Sequence, residues 1–221
     1  MGVQIYPNVH LYDPDGPDAL PLHLNYYGAS DYATMEPKKG KKEPDFTEHG
    51  VFGVCQRGDL WAVDWWSMQT TTDKSINAFL TLVKRWKPVR WWNEGGVIDK
   101  AISPAIRDAM IRARTFVAIE ELPMLVDKGV KLQAFHARYS ARTVHFPLKR
   151  PWAERVIDQL VKFPGGRFDD AADVCGLIGR GVDQMVDARI PDVIKRPQLV
   201  PFTEAWLEWK ADNQKQRVRY F

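Results

Sequence analysis

Between residues 23 and 121 the chain switches repeatedly between two hydrophobic periods, in an order that few folds can accommodate. His23 to Asp31, Gly50 to Cys55 and Leu60 to Met68 read as strands, the second and third joined by the turn residues Gln56 to Asp59. A helical stripe follows, carrying Ile76, Phe79, Leu80, Leu82 and Val83, with Asp73 placed to cap it and Pro88 to stop it. Val89 to Glu94 is a further strand, Val97 to Ala113 a second helical stretch interrupted near Pro104, and Thr115 to Glu121 a fifth strand. Strands with short connections form an antiparallel meander, whereas a strand, helix, strand succession crosses over right-handedly and leaves its strands parallel. The expected fold is therefore α/β: a mixed sheet of five or more strands, meander first and parallel strands after, flanked by helices.

That topology brings acids together. Parallel neighbours release their carboxyl ends at one sheet edge, so Asp31 and Glu94 become neighbours if the strand ending in Glu94 pairs with the one ending in Asp31. A third supply of acid lies in the stretch FPGGRFDDAADVCGL, Phe163 to Leu177. Pro164, Gly165 and Gly166 end the preceding helical pattern, and Asp169 stands where the next helix takes its N-cap. Around a helix of 3.6 residues per turn, Asp170 continues the stripe of Val174, Leu177, Ile178 and Gly181, with Asp173 one position from it. At least one carboxylate then points inward, which is costly unless it is paired, protonated or bound to metal. In isolation the same acids have ordinary roles: Asp169 as cap, Asp170 at the positive helix end, Asp173 on an arginine. Delivered to one sheet edge with Asp31 and Glu94, they form a cluster that repels itself without a cation. Oxygen-only ligands suit Mg2+ or Mn2+, and two such ions about 4 Å apart activate water and steady the leaving oxygen in phosphodiester cleavage.

The remaining chain is mostly helical, with Asp127 to Ser140 and Trp152 to Lys162 on either side of a small strand at Thr143 to Phe146. Residues 1–22, with Pro7, Pro14, Pro17 and Pro21, read as an extended arm, residues 23–190 as the folded domain, and residues 191–221, with Lys215, Arg217 and Arg219, as a tail or docking segment. Nine Trp, ten Phe and a hydrophobic fraction of 45% exclude a disordered polymer. Trp65, Trp66, Trp91 and Trp92 read as core rather than as base-stacking platforms, and Asp64 as structural. A net charge of +3 permits a nucleic-acid partner without requiring one. Lys38, Lys39, Lys41 and Lys42 fall in a long polar loop, Tyr32 to His49, as solvated surface or phosphate contacts. Cys55 and Cys175 lack metal spacing and read as reduced thiols, and no histidine, His136 and His145 included, pairs with a nucleophile at a recognisable spacing. No apolar run approaches membrane-spanning length and no signal peptide opens the chain, so a soluble intracellular protein without a membrane partner is expected.

Taken in order, ASDYA around Asp31, DFT at Asp45 to Thr47, WWNEGG, DKGVKLQAFHAR, VHFP and FPGGRFDDAAD resemble the C-terminal nuclease domain of tailed-bacteriophage large terminase subunits, over residues 23–185. The resemblance implies a ribonuclease H-like fold and a metal-dependent endonuclease that cuts double-stranded viral DNA during packaging. It implies Asp31, Glu94, Asp169 and Asp170 as metal ligands and catalytic acids, Asp173 as a supporting acid, and Lys128 and Lys131 as DNA-backbone contacts. Implied partners are double-stranded DNA, a terminase ATPase domain, the small terminase subunit and the portal or procapsid, in the cytoplasm of a bacterial host. No GxxxxGK[ST] loop occurs, so the chain alone is not expected to hydrolyse ATP. Two readings stand beside this one: a resolvase-type nuclease preferring branched DNA, and a noncatalytic DNA-binding or capsid-docking module.

Overall fold

The computed structural model describes residues 9–16, 19–33, 45–125, 127–166, 168–189 and 207. The chain divides into two compact units, Met1–Arg189 and Ile190–Phe221, and the first carries the sheet and its flanking helices. Its strands are β1 (His10–Tyr12), β2 (Asn25–Asp31), β3 (Thr47–Val54), β4 (Leu60–Met68), β5 (Arg90–Glu94), β6 (Ala118–Leu122) and β7 (Val144–Pro147). Its helices are α1 (Thr72–Trp86), α2 (Val97–Ala113), α3 (Lys128–Ser140), α4 (Pro151–Lys162) and α5 (Asp170–Arg180). The strands form one seven-stranded sheet in the order β1-β7-β4-β3-β2-β5-β6. β2, β3 and β4 are the antiparallel meander, and β5 and β6 add in parallel beyond β2, as their crossover helices require.

Helices cover both faces. On one, α1 and α2 bury Ile76, Phe79, Ile102 and Ile106 against Val51 and Trp91. On the other, α3, α4 and α5 bury Phe135, Leu160, Val174 and Ile178 against Phe52, Trp65 and Trp92. α5 is almost wholly buried, and it meets α3 backbone to backbone because the contact residues are glycines. A Cβ at Gly179 would stand 2.5 Å from the Phe135 nitrogen, and one at Gly176 2.9 Å from the Lys131 carbonyl oxygen.

The structure departs from the sequence expectations in four places. Part of the expected arm, His10–Tyr12, is an edge strand parallel to β7, held where Tyr12 packs edge-on against Trp61 and its hydroxyl donates to the Ala62 carbonyl at 2.7 Å. β3 starts at Thr47, so Glu48 and His49, expected in a loop, lie in the sheet and are fully buried. α1 takes Thr71 rather than Asp73 at its N-cap position, with Asp73 in the first turn. α2 runs through Pro104 without a break, its Ile102, Ile106 and Ala109 held in the core on either side of the missing N–H. The lysine cluster at 38–42 and the basic end at 215–219 lie outside the described residues. Asp64 accepts hydrogen bonds from Trp86 and Arg85, and Trp65, Trp91 and Trp92 are core, as expected. Both cysteines are free and buried. Among the described residues, no helix is long and apolar enough to cross a membrane.

Candidate metal centre

Ala29 pairs with Trp92 and Ser30 with Asn93 in parallel register, so the next residues, Asp31 and Glu94, leave the sheet side by side at the carboxyl ends of β2 and β5. α5 packs across these strands on the same side. A narrow cleft results, lined by Asp31, Glu94, Lys131, Asp173, Gly176, Leu177 and Arg180. Four of these residues come from one stripe of α5: positions 173, 176, 177 and 180 are spaced i, i+3, i+4, i+7 and share a helix face.

The expected acids divide accordingly. Asp31, Glu94 and Asp173 line the cleft together. Asp170, one turn before Asp173, is 3% exposed and accepts the Phe46 N–H at 3.2 Å, which ties the start of α5 to the start of β3. Asp169 occupies the N-cap position, and its side chain makes no capping hydrogen bond. Asp45, from the DFT triplet, is buried just ahead of β3.

Two cations enter the same cleft. Lys131 Nζ lies 2.9 Å from Glu94 Oε2 and 3.7 Å from Asp173 Oδ1, bridging β5 and α5 from α3. Arg180 sets its Nη1 3.9 Å from Glu94 Oε1 while its Nη2 donates to the Pro123 carbonyl at 2.5 Å. Burial lowers the pKa of the Arg180 guanidinium, and the Glu94 charge opposes that shift. Lys128 opens α3, and its side chain lies outside the described residues. Arg180 was absent from the sequence reading, although its i+7 spacing from Asp173 was there to be found.

The carboxylates suit a hard divalent cation in kind, since every acidic donor in the cleft is an oxygen. As the side chains stand, no group of three His, Cys, Asp or Glu among the described residues is arranged to hold a metal ion. The Lys131 ammonium lies against Glu94 and Asp173 and offsets part of their charge.

Behind the cleft, two buried polar groups hold the sheet in register. His49 lies in the α1 face, where burial pulls its pKa down to about 4 and keeps the imidazole neutral. With that protonation the ring satisfies both nitrogens: Nδ1 accepts from the Ser30 hydroxyl at 2.8 Å and Nε2 donates to the Ser75 carbonyl at 3.0 Å. Ser30 Oγ in turn accepts from the Trp91 indole at 2.7 Å, joining β2, β3, β5 and α1 immediately before Asp31. Glu48, paired with Asp31 across β2 and β3, is 0% exposed. Its oxygens accept from Trp65 Nε1, Ser67 Oγ and both terminal nitrogens of Arg155 on α4. This buried charge is paired and hydrogen-bonded at both oxygens, the arrangement that makes burial tolerable.

No protein-family model matches the chain, and no curated protein matches it in sequence. The fold itself is ribonuclease H-like, and solved structures share it. The large terminase nuclease domain of Thermus phage P74-26 superposes with a TM-score of 0.55 at 13% identity, covering 85% of this chain and 100% of that one. The large terminase nuclease of thermophilic phage G20c, solved with bound magnesium, gives a TM-score of 0.54 at 14% identity, covering 80% of this chain and 96% of that one. The expected fold class thus holds: the chain has the fold of phage large terminase nuclease domains.

Proposed function

We propose that this chain is a divalent-metal-dependent endonuclease that cuts double-stranded DNA with little sequence preference, acting in viral genome packaging inside a bacterial host. The observation that supports the reading is the convergence of Asp31, Glu94 and Asp173, distant in sequence and carried by three elements, on one cleft. Mg2+ or Mn2+ bound there, as one ion or two, would activate water for attack on the scissile phosphate and steady the leaving oxygen. Asp31 and Glu94 offer oxygens from rigid strand ends, while α5 offers Asp173 and, one turn earlier, Asp169 and Asp170. Lys131 and Lys128 at the head of α3 contact the DNA backbone. Such contacts position the duplex without reading bases, which accounts for low specificity. In the same reading the chain works beside a terminase ATPase domain, the small terminase subunit and the portal or procapsid.

A plasmid-nicking assay tests the reading. The protein should convert supercoiled plasmid to nicked and linear forms with Mn2+ or Mg2+ and not with chelator, and Asp31→Ala should be inactive while remaining folded. No cleavage with either metal at high protein concentration would leave a noncatalytic DNA-binding or capsid-docking module. A strong preference for branched over linear duplex would make it a resolvase-type nuclease.

A further inference from the structure

Glu94 offers its two oxygens to partners of different kinds. Oε2 meets the Lys131 ammonium at 2.9 Å, the tip of a flexible side chain. Oε1 meets the Leu125 main-chain N–H at 3.4 Å and Arg180 Nη1 at 3.9 Å. Arg180 has little freedom to follow the carboxylate, since its other terminal nitrogen donates to the Pro123 carbonyl. One planar guanidinium therefore anchors the last turn of α5 to the segment after β6 and sets its second terminal nitrogen in longer-range ion-pair contact with the carboxylate at the end of β5.

We propose that Arg180 is a positioning residue of the metal centre: anchored on the Pro123 carbonyl, it holds a positive charge beside Glu94 Oε1, which favours the carboxylate orientation that leaves Oε2 on Lys131, and it ties the Asp173 stripe of α5 to the segment after β6. Residues that orient a ligand typically change metal affinity by about 10-fold to 100-fold when replaced. A lysine reproduces the role poorly, because a single ammonium cannot donate to the Pro123 carbonyl and also present a second nitrogen toward Glu94, as the planar guanidinium does. The proposal rests on the nuclease reading for the metal, and on the structure alone for the tether.

The test compares wild type with Arg180→Lys and Arg180→Gln, reading three quantities: melting temperature without metal, hydrogen exchange of the Leu122, Met124 and Leu125 amides without metal, and Mn2+ affinity by calorimetry in the absence of DNA. Expected are variants that fold, exchange these amides faster, and bind Mn2+ about 10-fold more weakly, with Lys failing to rescue. Variants that bind Mn2+ within about twofold of wild type overturn the proposal, whether or not exchange changes, because a bare structural tether would leave affinity untouched. Wild-type protein that binds no Mn2+ overturns the nuclease reading, and the metal role of Arg180 with it.

Discussion

The Lys131 ammonium lies 2.9 Å from Glu94 Oε2, closing an ion pair between α3 and the end of β5 in the cleft where we propose that a divalent cation binds. Lys131→Ala should therefore have two opposite effects. Without metal, the acids lose their counter-charge and the protein should be less stable by about 2 kcal/mol, a drop of about 5 °C in melting temperature for a chain of this size. With Mn2+ the stabilisation should exceed that of wild type, since the metal no longer competes with an internal cation. Thermal melts with and without Mn2+ read both; a variant with wild-type melting in the absence of metal would show that the ammonium does not balance the acids.

The same contact depends on how closely α3 and α5 approach. Gly179→Ala would place a Cβ 2.5 Å from the Phe135 nitrogen, and backbone cannot move aside as a flexible side-chain end can. The two helices should separate and stability should fall by about 2 kcal/mol. Urea unfolding measures the loss, and a fall of less than about 0.5 kcal/mol would contradict the packing described.

Arg155 is the charge partner of the fully buried Glu48. Arg155→Ala leaves that carboxylate with only neutral donors, which should cost about 3 kcal/mol. Adding Glu48→Gln in the same chain should recover part of the loss, because a neutral amide is cheaper to bury than an unpaired charge. Chemical unfolding of the single and double variants decides it; a double variant weaker than Arg155→Ala would overturn this view of the pair.

His49 gives the fold a pH dependence of known sign. Its folded pKa, about 4, lies below the ordinary 6.5, so between those values the unfolded chain binds a proton that the folded chain refuses. Its contribution is complete above about pH 6.5 and falls away as the pH drops toward 4, by about 3 kcal/mol in all. Urea unfolding from pH 4 to 8 should show a steeper acid loss in wild type than in His49→Asn; parallel curves would contradict a buried neutral imidazole.

Much of this was legible in the amino-acid sequence, and what was not has physical causes. The alternating elements from His23 onward made the strand ending in Glu94 parallel to the one ending in Asp31, and Asp31 a neighbour of Glu94 if those two strands pair, as β2 and β5 do. Glu48 and His49 look like loop residues by polarity, and only partners remote in sequence, Arg155 on α4 and Ser75 on α1, make their burial tolerable. The edge strand at His10–Tyr12 was hidden by the prolines around it and depends on Trp61 and β7, which no local pattern announces. Within α5, the sequence identified a carboxylate aimed inward, and Asp170 is buried. It ranked Asp170 ahead of Asp173 as a ligand, while Asp173 is the one that lines the cleft, since the difference is the rotation of one helix against a sheet not yet assembled.

The most direct measurement is the anomalous signal from a crystal soaked in Mn2+. Manganese should appear in the cleft, coordinated by the carboxylates of Asp31 and Glu94 together with an acid of α5, with Lys131 turned away from Glu94. A soaked crystal with no manganese there, or with the ion held elsewhere while Lys131 keeps its contact with Glu94, would contradict the proposed metal centre.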